Sequence, residues 1–378
     1  MKTKLLLVSD TYHPKVDGTV RFMDEFMQRA KSHFDLSLLV PQFDTHIGKK
    51  PSKAAVYLET SRVLTPLPEY PAIALSFSNL RKIKQAVRET DIVFIQGPAM
   101  ASLLATYYAR KYHKKAIFYM HVLPWELYEK STRSLFLKPV TYVIKKLSVF
   151  LYNHCTQILI PYPDLKEYLV QQGVRTPLAV ARLGVDIEQF SPPSNKQLSK
   201  NKLQIDEQDF VIGYVGRISQ EKNTPLLLEA FHKLKHTRPV LLLVVGDGDS
   251  IQSNAFRDTP HCKVTGFVNN VQEYLQAMDL FIMPSLTETT SLATLEAMAT
   301  GLPVIATRVG FIKNYVIKNY NGIFFPRNSA ATLALKIEKL MANRKMRGLL
   351  GRNARKTVAY SFSWERSINR IIRRLLSA

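Results

Sequence analysis

Acidic residues are scarce in this chain, and cysteine is scarcer still. Of 378 residues, 30 are Asp or Glu against 52 Lys or Arg, a formal net charge of +22. Such an excess favours anionic partners, whether nucleic acid, phosphorylated small molecules or a membrane surface, without choosing among them. The two cysteines, Cys155 and Cys262, stand far apart with no Cys-x-x-Cys pattern. A disulfide framework and a cysteine zinc site are excluded, and a reducing, intracellular compartment fits best. Neither Gly-x-Gly-x-x-Gly nor a P-loop pattern occurs, which disfavours dinucleotide and P-loop chemistry. Long apolar runs are missing too. The apolar start ends at Asp10, the stretch 92–109 is broken by Gly97-Pro98, and 147–162 carries Asn153, His154, Thr156 and Gln157. None of these reads as a signal peptide or a membrane-spanning helix, and the start reads as a buried first strand.

What remains is ordinary globular composition, 46% hydrophobic and 22% charged, in a chain long enough for two domains. Short apolar, β-rich runs recur at 4–8, 36–40, 92–95, 116–120 and 157–160, then at 210–215, 240–245, 280–283 and 303–306. Helical stretches such as 20–33, 224–236 and 331–341 separate them. Continuous apolar runs of this length mark parallel strands covered on both faces, so the spacing predicts an α/β fold of two doubly wound units. The stretch from Phe190 to about 202 is polar and contains Pro192-Pro193, which marks a surface linker. Domains are expected over 1–182 and 206–362, with 183–205 as linker. Two basic amphipathic stretches, 130–152 and 341–378, could lie on an anionic membrane or simply pack their apolar faces inward. For the C-terminal stretch the packing reading is preferred; for 130–152 both stay open.

Three loops carry residues suited to chemistry. Asp247-Gly-Asp249 follows the run 240–245 and invites a metal reading, but paired aspartates in a strand-to-helix turn are better explained as turn and capping residues. No metal site is therefore expected. Gly216-Arg217-Ile-Ser-Gln-Glu-Lys222 lies between a strand and a helix, at the end of a parallel sheet where ligands bind. Two cations there suit a diphosphate, although solvated loop charges would look the same. The segment from Pro284 through Glu288 to Glu296 again joins a strand to a helix. Backbone amides of Thr289, Thr290, Ser291 and Leu292 at that helix start could bind phosphate, and the two glutamates could accept hydrogen bonds from sugar hydroxyls. Alternatively Glu288 merely caps the helix and Glu296 is solvated.

Taken together, Glu288-x7-Glu296 after Pro284-Ser285, Glu-Ala-Met-Ala-x-Gly-x-Pro-Val-Ile-Ala over 296–306, Gly216-Arg-Ile-x-x-x-Lys-Asn and Val-Val-Gly-Asp-Gly at 244–248 resemble the retaining nucleotide-sugar glycosyltransferases of family 4. The resemblance spans nearly the whole chain. It implies the B-type fold, two Rossmann-like domains facing across a cleft. It makes Arg217 and Lys222 a diphosphate clamp beside Gly216, with Glu288 on the donor sugar and Glu296 on the ribose. Gly266, Phe267 and Val268 would line the base, and Gly18 would let backbone approach donor and acceptor. His121, in Tyr119-Met-His121-Val-Leu-Pro-Trp125-Glu126, matches the family's active-site histidine, and the helix after Ser363-Trp364 would cross back onto the first domain. Two departures stand out: Ser291 where members often carry glycine, and Arg182-Leu-Gly184-Val-Asp186 without the asparagine common before Gly-Val-Asp. The Ser-x-Thr-Glu-Thr form is similar to glycolipid-forming and mannosyl-transferring members, including diacylglycerol glycosyltransferases.

The resulting expectation is a retaining hexosyltransferase that uses a nucleotide diphosphate sugar, needs no metal or other cofactor, and acts on a lipid acceptor from the cytoplasmic face of the membrane through 130–152. A sugar-nucleotide epimerase of the same fold and a noncatalytic basic nucleic-acid binder are the rivals. The second lacks an aromatic and basic recognition motif, so no nucleic-acid partner is expected.

Overall fold

A computed structural model describes residues 2–14, 18–43, 55–61, 72–97, 99–131, 138–235 and 238–377. The chain divides into two units, Met1–Arg182 with Ser367–Ala378, and Leu183–Arg366. Within the first unit, chain order is β1 (Thr3–Val8), α1 (Gly18–Ala30), β2 (Phe34–Pro41), β3 (Ala55–Leu58), α2 (Phe77–Arg88), β4 (Ile92–Ile95) and α3 (Met100–Lys111). It continues through β5 (Lys115–Tyr119), α4 (Pro124–Ser131), α5 (Lys138–Tyr152), β6 (Gln157–Ile160), α6 (Asp164–Gln171) and β7 (Leu178–Val180). The seven strands form one sheet in the order β3-β2-β1-β4-β5-β6-β7, every pair parallel. Leu5–Val8 and Val93–Ile95 are fully buried, as runs covered on both faces must be.

The second unit begins with α7 (Lys196–Lys202) and β8 (Phe210–Val215), followed by α8 (Thr224–His232), β9 (Val240–Val245), α9 (Ser250–Arg257), β10 (Cys262–Val264) and α10 (Val271–Ala277). Then come β11 (Leu280–Met283), α11 (Leu292–Ala299), β12 (Val304–Thr307), α12 (Ile312–Tyr315), β13 (Gly322–Phe325), α13 (Ala330–Ala342), α14 (Arg344–Ser361) and α15 (Trp364–Ser377). Its six parallel strands are ordered β10-β9-β8-β11-β12-β13. Phe210, Ile212, Tyr214, Val244, Ile282 and Ile305 form the centre of its core. In both sheets strand order reverses once, between β1 and β4 and between β8 and β11. Loops leaving opposite sides of such a reversal part from each other and open a crevice at the strand ends, which is where open α/β sheets bind ligands.

All nine expected strands are present; β3, β7, β10 and β13 are additional. Each of the four has only three or four residues, and β10 carries Lys263 at its centre, so local patterning does not mark them. Residues 183–205 are not a free surface linker. Val185 and Phe190 are buried, Val185 N donates to Phe362 O at 2.7 Å, and Arg355 donates to Phe190 O at 2.9 Å. The polar composition there is used within the unit: Asn195 caps α7, and the Lys200 ammonium, on a residue 4% exposed, donates to Asp209 O at 2.6 Å. At the other end, α15 buries Trp364, Ile368, Ile371, Ile372 and Leu375 and exposes Arg366, Arg370, Arg373 and Arg374. Although α15 starts in the second unit, from Ser367 on it belongs to the first, and Ser367 Oγ donates to Arg182 O.

Candidate active site

The second unit assembles a charged cluster at its switch point. The loop after β8 brings Arg217, Glu221 and Lys222; the loop after β11 brings Ser285 and Glu288. Lys222 Nζ lies 2.8 Å from Glu288 Oε1 and 3.5 Å from Glu221 Oε1, and Arg217 Nη2 lies 3.5 Å from Glu221 Oε2. Ser285 Oγ donates to Glu288 Oε1 at 2.9 Å. Burial alone would push the Lys222 ammonium down, but the Glu288 and Glu221 carboxylates outweigh it and hold its pKa above the usual lysine value. The two loops are also joined by backbone: Leu286 N donates to Glu221 O at 2.9 Å, and Asn223 Nδ2 to Pro284 O at 3.2 Å. Tyr214, fully buried beneath them, donates its hydroxyl to Arg217 O at 2.6 Å.

Glu288 therefore does not cap the following helix. That position belongs to Ser291, in the left-handed region at φ 59°, whose hydroxyl meets Thr294 Oγ1 at 2.8 Å. The first helical donor is Leu295 N, to Ser291 O, so the amides of Leu292 and Ala293 lie ahead of the ladder. Thr290 Oγ1 is buried without a hydrogen-bond partner among the described residues. Glu296 is not solvated; it is 3% exposed on α11. Gly310 was not legible in the sequence as part of this loop. At φ +49°, any Cβ there would fall 1.5 Å from Glu288 O, so only glycine lets the loop after β12 pass. Glu221 was likewise unassigned, although it stands inside the motif that carries Arg217 and Lys222.

The loop after β9 packs against the same switch-point loop. Ile218 N donates to Asp247 O at 3.0 Å, and Asp249 N to Ile218 O at 2.9 Å. Asp249 caps α9, while Asp247 accepts from Gly248 N, Ser253 Oγ and Arg257, contacts that hold its carboxyl below the usual range. Both aspartates thus have turn and capping work. Gly266 bridges to Gly246, and beside it Phe267 is 72% exposed with Val268 half-buried. Among the described residues no group of three or more His, Cys, Asp or Glu is placed to hold a metal ion.

In the first unit, Gly18 opens α1 after the loop from β1; Lys15, Val16 and Asp17 of that loop lie outside the described residues. His121 follows β5 and sets its Nε2 2.9 Å from Gln96 Oε1, at the end of β4. Phe22 and Tyr119 enclose its ring, with centroids 5.0 and 4.7 Å away, and burial pushes its pKa down to about 3, so the imidazole is neutral at physiological pH. Asp10 closes the same end of the sheet, accepting from Ala99 N at 2.9 Å, Ala101 N at 3.0 Å and Ser102 Oγ at 2.6 Å.

The segment 130–152 is described in part, residues 132–137 lying outside it. On α5, Val140, Tyr142, Val143, Leu147 and Phe150 are exposed beside Lys146, while Ser148, Leu151 and Tyr152 are buried. No helix among the described residues is long and apolar enough to cross a membrane.

Residues 16–189 match the family described as Glycosyltransferase Family 4, and residues 195–357 match Glycosyl transferases group 1. The sulfoquinovosyl transferase SQD2 of Arabidopsis thaliana is 27% identical over 326 residues, covering 81% of this chain. This chain spans only 61% of that plant protein's length. Alpha-monoglucosyldiacylglycerol synthase of Acholeplasma laidlawii is 26% identical over 296 residues, 73% of this chain and 71% of that protein. The crystal structure of Anabaena HepE in complex with UDP is similar in fold, with a TM-score of 0.79 at 18% identity over 100% of both chains. The chain accordingly belongs, in its first half, to Glycosyltransferase Family 4 and, in its second, to the group 1 glycosyl transferases, with the B-type glycosyltransferase fold.

Proposed function

We propose that this chain moves a hexosyl unit from a nucleotide diphosphate sugar to an acceptor hydroxyl on a membrane lipid, with the anomeric configuration retained. The observation that carries this reading is the cluster of Arg217, Glu221, Lys222 and Glu288 at the switch point of the second sheet. As the glycosidic bond lengthens, negative charge grows on the departing diphosphate; a guanidinium and an ammonium fixed beside it stabilise that charge without a metal. The amides of Leu292 and Ala293, ahead of the helical ladder at the start of α11, add to this effect. Glu288, oriented by Lys222 and Ser285, accepts hydrogen bonds from the sugar hydroxyls. The leaving phosphate oxygen takes the acceptor proton on the face it vacates, so the new bond forms there and no carboxylate nucleophile is needed. UDP in the Anabaena structure and diacylglycerol in the name of the Acholeplasma relative support the two substrate classes. The exposed apolar and basic face of α5 supports a peripheral position on an anionic, cytoplasmic membrane surface.

The test is incubation with a panel of nucleotide sugars and diacylglycerol in anionic vesicles, with and without excess chelator. One donor should yield a glycolipid of unchanged anomeric configuration, with activity persisting in chelator. An inverted product, or loss in chelator restored by Mg²⁺ or Mn²⁺, would refute retention or metal independence respectively. Conversion of a nucleotide sugar with no acceptor present would point to an epimerase.

A further inference from the structure

The inference drawn from the first unit rests on the reading of His121 as an active-site histidine and concerns its neighbour. Strands β4 and β5 pair in register, Ile95 opposite Phe118, and Gln96 and His121 leave their ends side by side. A carboxamide oxygen only accepts, so the 2.9 Å contact from Gln96 Oε1 places the ring proton on Nε2 and leaves a lone pair on Nδ1. Gln96 is 2% exposed, and its amino group is buried with no partner among the described residues. A methionine of similar shape would bury no orphan donor, so packing alone gives no reason for glutamine here.

Contacts among the described residues hold the pair in place. Gln96 N donates to Val8 O at 2.8 Å, which ties it to β1 across the switch point. A Cβ on the next residue, Gly97, would stand 2.9 Å from Asp10 Oδ2, and Asp10 itself holds the start of α3. Phe22 and Tyr119 hold the imidazole plane, and burial keeps the ring uncharged. We infer that Gln96 is a positioning residue that locks His121 in the tautomer protonated at Nε2, so that Nδ1 serves as an acceptor for a ligand hydroxyl. His121 in this state reads a hydroxyl donor and gives up no proton of its own.

The tautomer is directly measurable. In the full chain labelled with ¹⁵N-histidine, long-range proton–nitrogen correlation at neutral pH should show the Nε2–H pattern for His121, assigned by its loss in His121→Asn. Gln96→Met should be at least as heat-stable as the wild type yet populate both tautomers. With UDP-glucose as the probe donor, its hydrolysis should lose about tenfold in kcat, with a much smaller change in KM, as removal of an oriented polar contact predicts. An Nδ1–H pattern in the wild type, or an unaltered tautomer in Gln96→Met, would overturn the inference. The wild-type spectrum decides it even if the variant fails to fold. Absence of turnover of any nucleotide sugar by the wild type would instead sink the proposed function, which the tautomer measurement does not touch.

Discussion

Lys222 is bonded to carboxylates of both switch-point loops, Glu221 on its own loop and Glu288 from 66 residues away. Removing it leaves two close, part-buried carboxylates facing each other, so Lys222→Ala should lower thermal stability as well as turnover. Glu288→Gln keeps the shape and most hydrogen bonds and should affect turnover alone. Each is expected to reduce turnover at least about tenfold, roughly 1.4 kcal/mol of transition-state stabilisation; near-normal rates in folded protein would remove both from the site. His121 offers a test by pH. Its pKa is about 3 when folded and about 6.5 when unfolded, so the unfolded chain binds the proton more readily. Its contribution to stability is complete above pH 6.5 and is lost as pH falls toward 3. The wild type should therefore lose more melting temperature between pH 7 and pH 4.5 than His121→Asn does, and equal losses would show that the ring is not buried uncharged.

At the scale of elements, α3 shows how a helix start can be supplied from elsewhere. Its own capping position is Ala99, which offers no side-chain acceptor, and Asp10 reaches it from 89 residues away to bind two amides and Ser102. Burial nonetheless holds the Asp10 carboxyl above its usual range. Asp10→Ala should cost about 1–2 kcal/mol in denaturant unfolding, as loss of a cap does, and Asp10→Asn distinctly less. Helix α5 is the converse: its apolar residues were legible, but which of them face outward was not. Tyr142, Val143, Leu147 and Phe150 are each more than half exposed, and Lys146 stacks over Tyr142 at 5.3 Å. Reversing Lys145 and Lys146 to Glu should weaken binding to anionic vesicles at least about tenfold, since each basic residue near such a surface contributes about 1 kcal/mol. Vesicle binding unchanged by the double substitution would move the membrane role to another basic face.

For the whole molecule, two sheets with the same reversal of strand order present strand-end loops of different character. The second unit offers cations, carboxylates and a helix start; the first offers an uncharged histidine and a buried carboxamide. A nucleotide diphosphate should accordingly bind the native chain in proportion to the phosphate contacts of the second unit. UDP at about 100 times its dissociation constant should add about 2.7 kcal/mol to apparent stability. That gain should fall sharply in Lys222→Ala and persist in Gln96→Met. An equal loss in both would contradict the division of roles between the units.

The order of apolar runs and helical stretches determined two parallel-sheet units, because burial on both faces imposes a continuous hydrophobic signature that needs no knowledge of neighbours. The residue order of the strand-end loops likewise put Arg217, Lys222, Glu288 and His121 at the ends of parallel strands, the region open α/β sheets use for ligands. Tertiary structure alone decided the partners: Lys222 with Glu288, Gln96 with His121, Asp10 with the start of α3, and the folding of 183–205 into the second unit. Each of these joins polar groups distant in sequence or on separate strands, and a polar side chain carries no local mark of its eventual partner. Hydrophobic periodicity is written along the chain, whereas hydrogen-bond pairing is set by which strand ends the sheet order brings together.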